Sequence, residues 1–155
     1  MQMPASTNHP SSRDATWWLP VAGGVLGGLG VLIGAGVAHG LGDWLAEQGM
    51  AAELIPRRLA QADTAVRYHL IHSVLLLVLF ALRDSLGRRG VFWAGLLMVA
   101  GIVLFSGSLY LLVLLDQPRF GAVTPFGGMS WIVAWIVIAV AGFRARSDVA
   151  SATGR

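Results

Sequence analysis

Apolar residues fall into four long runs separated by short polar stretches. From Trp17 to about Ala38 the chain is apolar, rich in glycine and free of charge. A second apolar body runs from Tyr68 to Leu82 and contains the unbroken stretch Val74-Leu75-Leu76-Leu77-Val78-Leu79-Phe80. Two more runs cover about 91–115 and 120–143. Crossing a hydrocarbon core takes about 20 apolar residues in a helix. The second body is short for that, so residues 64–67 are expected to supply the remaining interfacial length, with Asp63 as the N-cap. The pattern predicts an all-α integral membrane protein, a four-transmembrane-helix bundle, with spans at about 17–38, 64–82, 91–115 and 120–143. Together they make one membrane domain over 17–143.

The polar stretches define the rest. Residues 1–16, with Pro4, Pro10, Ser11 and Ser12, lack the apolar surface to offset chain entropy and are expected to form a disordered tail. Residues 144–155 form a second, short polar tail. Between the first two spans lie Asp43, Glu47, Glu53, Arg57, Arg58 and Asp63, interleaved with Trp44, Leu45, Leu54, Ile55 and Leu59 and broken by Pro56. That mixture predicts short amphipathic pieces on the membrane surface. The compact stretch 83–90 favours antiparallel neighbours. Pro125, lacking a backbone donor, predicts a kink or a late helix start in span four. Reading span one as a cleaved signal peptide fits less well than a retained span. Arg13 is offset by Asp14, and the apolar run exceeds a usual signal core.

Composition changes the picture in three ways. With 55% apolar and 12% charged residues, against about 45–50% and about 25% in soluble domains, the chain is placed in lipid. All 11 basic residues are Arg, and they mark the ends of apolar runs instead of forming the patch a nucleic-acid surface needs. The absence of Cys excludes disulfides, thiolate metal sites and a cysteine nucleophile. Arg13, Arg83, Arg88, Arg89, Arg144, Arg146 and Arg155 fall on one side of a four-span chain; Arg57, Arg58, Arg67 and Arg119 fall on the other, among Asp43, Glu47, Glu53, Asp63 and Asp116. The positive-inside rule then puts both termini in the cytoplasm.

Candidate chemistry is sparse. Gly23, Gly27, Gly30 and Gly34 recur at three- and four-residue spacing, so a neighbouring backbone can approach span one closely. Intramolecular packing is the first reading and homodimerisation the alternative; the glycines lie inside an apolar run, which is not the setting of a nucleotide-binding loop. His39, His69 and His72 are expected on one membrane side, with His69 and His72 on one helical face. They either fix packing by hydrogen bonds across helix ends or bind a metal or haem or relay protons. Ser106, Gly107, Ser108 and Tyr110 form a small-residue and hydroxyl patch within span three, read as packing before a polar route. No charged residue lies at the expected centre of any span, which weakens ion-coupled transport. No nucleophile-base pair, carboxylate dyad or phosphate loop is visible, so no enzyme activity and no cofactor are expected.

Four ordered motifs carry a resemblance: Gly34-Ala35-Gly36-Val37-Ala38-His39-Gly40-Leu41, Tyr68-His69-Leu70-Ile71-His72-Ser73, Leu104-Phe105-Ser106-Gly107-Ser108-Leu109-Tyr110 and Thr124-Pro125-Phe126-Gly127-Gly128. Over about 30–142 the chain resembles the YgdD-like family of small bacterial inner-membrane proteins of unknown function, which have similar small transmembrane proteins in eukaryotes. The resemblance implies a four-span protein of the bacterial inner (plasma) membrane. His39, His72, Ser106, Gly107, Tyr110, Pro125, Gly127 and Gly128 fall on motif positions, while bacterial members can carry Gln at the position of His69. The stretch 42–62 is longer than in typical bacterial members. The expectation is a non-enzymatic packing, assembly or stabilising component in the lipid bilayer, with a homo-oligomer or a larger membrane complex as partner. The alternatives are a small transporter or channel lined by His72, Ser106, Ser108 and Tyr110, or a haem, metal or quinone site near His39 and His72.

Overall fold

The computed structural model describes residues 14–152. The expectations for residues 1–13 and for 153–155 lie outside that range. Helix α1 (Trp18–His39) is followed by the short α2 (Leu41–Glu47) and the long α3 (Ile55–Ala81). A single turn, α4 (Arg83–Leu86), leads into α5 (Arg88–Gly101), which continues through a π-helical turn (Ile102–Gly107) into α6 (Ser108–Leu114). A 3-10 turn (Pro118–Ala122) precedes α7 (Thr124–Ala152). Four stretches are long and apolar enough to cross a membrane: Trp18–His39, Ile55–Ala81, Arg88–Leu114 and Pro118–Ser147.

Several limits differ from expectation for local reasons. Helix α3 begins at Ile55, so Asp63 is no N-cap; it lies within the helix and pairs with Arg67 one turn on. Pro56 starts this helix instead of breaking it, because a first-turn residue has no intrahelical partner for its N–H. Asp14, Ala15 and Thr16, expected in a disordered tail, are ordered. The Asp14 carboxylate accepts hydrogen bonds from the Thr16 backbone N–H (3.0 Å) and hydroxyl (2.6 Å), and Thr16 is fully buried. Helix α7 starts late, at Thr124, with Pro125 in its first turn, and stays helical well past 143.

The spans pack in chain order, α1 on α3, α3 on the third span and the third span on α7. Helix α1 is antiparallel to α3: a Cβ on Gly23 would meet Leu77 and Ser73, one on Gly30 would meet Leu70 and His69, and one on Gly34 would meet Val66. Removing side chains at these positions brings the two backbones together, the packing device available where lipid offers no hydrophobic drive. Burial follows the row. Within the apolar windows 44% of the third span is buried but only 11% of α1. The main core, including Leu19, Leu76, Met98, Ile102 and Trp131, sits among the start of α1, α3, the third span and α7. A second cluster of Leu41, Leu45, Ala62, Leu112 and Val113 tucks α2 against the end of the bundle.

Candidate functional site

The centre of the bundle is built from one face of α3. Arg58, Ala62, Ala65, His69, His72, Leu76 and Leu79 are all buried, and their spacing of three or four puts them on one stripe. His72 donates its Nδ1–H to the Tyr68 carbonyl at 2.7 Å, the only direction open to a carbonyl acceptor, and this fixes the ring. The ring lies flat on the Trp131 indole, centroids 3.7 Å apart and planes 3° from parallel. Tyr68 stacks on the same indole at 5.5 Å and Phe105 tilts against it at 4.8 Å. Tyr68 thus also belongs to this aromatic joint.

Trp131 comes from α7 and must cross the third span to reach α3. Gly101 makes room: a Cβ there would overlap the indole ring. The indole N–H donates to the Met98 carbonyl at 3.1 Å, so the buried polar end of the ring is satisfied. One helical turn before Trp131, a Cβ on Gly127 would overlap the Phe105 backbone. Gly127 is therefore where α7 presses onto the π-helical turn. Such turns are rare and frequently mark functional sites. This one carries Phe105 and Ser106.

Hydroxyl groups tie the remaining spans. Ser106, fully buried, donates to the Ala65 carbonyl of α3 at 2.9 Å. Ser108 donates to the Phe105 carbonyl at 3.0 Å, leaving Thr124 to donate to Ser108 at 2.8 Å. Tyr110 and His69 Nδ1 are hydrogen-bonded at 3.2 Å. Ser130 donates to the Leu97 carbonyl at 2.8 Å. His69 Nε2 is buried and faces the Leu26 backbone without regular hydrogen-bond geometry.

The structure therefore brings together His72, Ser106, Ser108, Thr124 and Gly127 around Phe105 and Trp131, with His69 and Tyr110 beside them. His39 stays apart. It is exposed at the end of α1, and since Gly34 already faces Val66, His39 lies about two turns beyond the level of His69 at roughly 1.5 Å per residue. Among the described residues, no three His, Cys, Asp or Glu side chains converge to hold a metal. Gly107 and Gly128 have room for a Cβ, and Pro125 is exposed in the first turn of α7. Of the glycines of α1, Gly23, Gly30 and Gly34 pack tightly on α3, while a Cβ on Gly27 would make only an ordinary contact with Ser73 at 3.8 Å. A cleft of about 390 Å³ beside α2 is lined by Val37, Trp44, Tyr110 and Val113 among others. A second, of about 930 Å³, opens beside α4 and the end of α7. His72, Ser106 and Ser108 line neither.

Three parts of this centre escape sequence reading: Gly101, Trp131 and a pair between Arg58 and Asp116. Arg58 is buried, with its guanidinium on the Asp116 carboxylate and on Gln61 Oε1 at 3.1 Å, and it fastens the start of α3 to the loop after α6. The four-residue spacing of Gly127 and Trp131 was a usable signal, as was the continuation of the α3 stripe back to Arg58.

Four apolar helices packed in chain order, held by hydroxyl bonds between neighbours and by the Trp131 stack that joins α7 to α3, define a small four-span membrane protein. The family model described as "Protein of unknown function (DUF423)" matches residues 33–128, and the chain belongs to this family. It is 41% identical over 121 residues to the UPF0382 membrane protein YwdK of Bacillus subtilis, covering 77% of this chain and 94% of that one. Similarity extends to a UPF0382 membrane protein of Haemophilus influenzae, 34% identical over 119 residues and covering 76% of this chain and 86% of the relative. SAB0533 of Staphylococcus aureus is 35% identical over 124 residues, with 77% and 93% covered. No solved structure matches.

Proposed function

We propose that the chain is a non-enzymatic helix-packing component of the bacterial inner membrane, a rigid module that assembles with itself or with a larger membrane complex. The observation that carries this reading is the use made of the motif hydroxyls. Ser106, Ser108 and Thr124 each bond to a neighbouring helix or turn, and His72 is closed under Trp131. Side chains committed in this way stiffen a bundle and are not free to act on a substrate. The face free for assembly is the outer side of α1, where Gly24 and Gly28 have nothing within contact distance of a Cβ and Val21, Val25 and Leu32 are exposed around them. We further take the family to be the YgdD-like one that the motifs resemble, with one membrane domain over about 17–143 and both termini in the cytoplasm.

A chain without cysteine allows a clean test. Single-cysteine variants at Gly28 and, as a control on the third span, at Val103 are oxidised in native membranes. The reading expects crosslinked products from Gly28→Cys and none from Val103→Cys. A chain that stays monomeric and partnerless from both positions, and by native mass spectrometry, overturns it.

A further inference from the structure

The cleft of about 930 Å³ beside α4 is composite. Its upper rim carries Arg88, Arg89 and Arg144, and its lower wall is made by Trp93, Ile136 and Val140, all three exposed. Arg88 is largely committed: it bonds Asp84 at 3.1 Å and lies 3.7 Å from Asp14. Asp84, the carboxylate on the rim, is shared between Arg88 and Arg83. Arg89 and Arg144 are in no ion pair among the described residues, so the rim keeps surplus positive charge. The start of α5 adds to it. Gly87 precedes that helix at φ +82° with no side-chain cap, which leaves the positive end of the helix dipole facing the rim.

Two unlike chemistries thus meet in one cleft, guanidinium groups above and bare hydrocarbon below, on helices long and apolar enough to span a membrane. A free phosphate satisfies only the first. Neutral hydrocarbon satisfies only the second. We propose that the cleft is a binding site for one anionic phospholipid, its phosphodiester held by Arg89 and Arg144 and one acyl chain lying along Trp93, Ile136 and Val140. Planar guanidinium forks match phosphate oxygens, and basic pockets between spans are a recognised setting for anionic headgroups. Trp93 lies five residues along the same span from Arg88, about 7–8 Å at roughly 1.5 Å per residue, and an indole next to a charged rim suits the headgroup boundary.

The test uses the full chain, purified in mild detergent and supplied with equimolar phosphatidylglycerol and phosphatidylcholine, with bound lipid counted by native mass spectrometry. The wild-type chain is expected to retain one phosphatidylglycerol in preference to phosphatidylcholine. Arg89→Gln combined with Arg144→Gln reduces that retention by roughly tenfold or more, while Arg57→Gln, on an exposed residue elsewhere, leaves it unchanged. Phosphatidylglycerol with brominated chains quenches the Trp93 contribution to fluorescence, taken as the difference between wild type and Trp93→Phe, and this holds the proposal testable even if the double variant folds poorly. Equal retention of the two lipids, loss of the lipid to millimolar inorganic phosphate, an Arg57→Gln effect as large as that of the double variant, or an unquenched Trp93 each overturns it.

Discussion

At the residue scale, the difference between Trp131 and Trp135 shows what a membrane sequence conceals. Both lie in one apolar helix, yet Trp131 is buried and Trp135 is half exposed. In a soluble helix the outward face is polar and betrays the inward one; here lipid and core are both apolar, so periodicity is silent. Ser106 and Thr124 were legible because hydroxyls inside an apolar run stand out whichever way they face. The notch at Gly101 follows the same logic as Trp131 and gives a sharp contrast. Gly101→Ala drives a methyl into a rigid indole and is expected to cost about 1–3 kcal/mol, read as a lowered thermal midpoint and loss of the near-ultraviolet tryptophan signal. Gly28→Ala meets open space and leaves the midpoint of the detergent-solubilised monomer unchanged or slightly raised. Ser106→Ala removes one interhelical bond of a kind worth about 0.6 kcal/mol in membranes.

The Arg58 and Asp116 pair predicts an asymmetry that a simple bond count misses. Arg58 is buried and Asp116 half exposed. Asp116→Asn keeps the positive φ of 47°, which Asn tolerates well, but leaves a buried guanidinium without its counter-charge. That change is expected to cost about 1–3 kcal/mol. Arg58→Met keeps the bulk and frees only a carboxylate that water already reaches, so it costs less. Chemical denaturation of the two variants in the same detergent checks the order, and a larger loss for Arg58→Met contradicts it.

At the scale of elements, the run from Ile55 to Leu82 shows how a correct pattern can be cut in the wrong place. Hydropathy marks only its apolar half. The first half carries Arg57, Arg58, Asp63 and Arg67, and Pro56 reads as a breaker; yet Pro opens the helix and the buried stripe runs through Arg58 and Ala62. Tracing the three- and four-residue stripe backwards from His69, instead of scanning for charge, locates the true start. The amino-terminal clip of α1 was hidden for another reason: Asp14, bonded locally to Thr16, is also tied to a residue distant in sequence, Arg83, 3.2 Å away. Hydrogen bonds from Thr16, with help from Arg88 and Arg83, hold the Asp14 carboxyl below the usual carboxylate range. A carboxyl lowered in the fold stabilises above its unfolded value, about pH 4, and that contribution is lost as the pH falls through the lower folded value. Spin labels on Ala15→Cys and Ser85→Cys are expected to give a narrow distance distribution at about pH 6 that broadens as the pH is taken below the unfolded carboxylate value. Asp14→Asn is expected to show no such change across that range.

At the scale of the whole molecule, span number and order were open to sequence reading because hydrocarbon thickness sets helix length and short connections force neighbours together. The row that results, with α1 on the outside and the third span at the centre, was not readable, since burial in a membrane leaves no compositional mark. The same row sharpens the question of orientation. On the side away from the termini, Arg58 is paired with Asp116 and Arg67 with Asp63, which localises those charges in ion pairs. On the side of the termini, Arg83 and Arg88 pair with Asp14 and Asp84, so ion pairing occurs on both sides and the larger number of arginines on the terminus side is what separates them. Since Lys and Arg near span ends decide which side is held back from translocation, both termini are expected in the cytoplasm. A fluorescent protein fused after Arg155 should therefore fluoresce, while alkaline phosphatase fused there should be inactive and the same enzyme inserted after Gly49 active. The reverse pattern would place the arginine-lined cleft in the outer leaflet, and with it any anionic lipid the cleft selects.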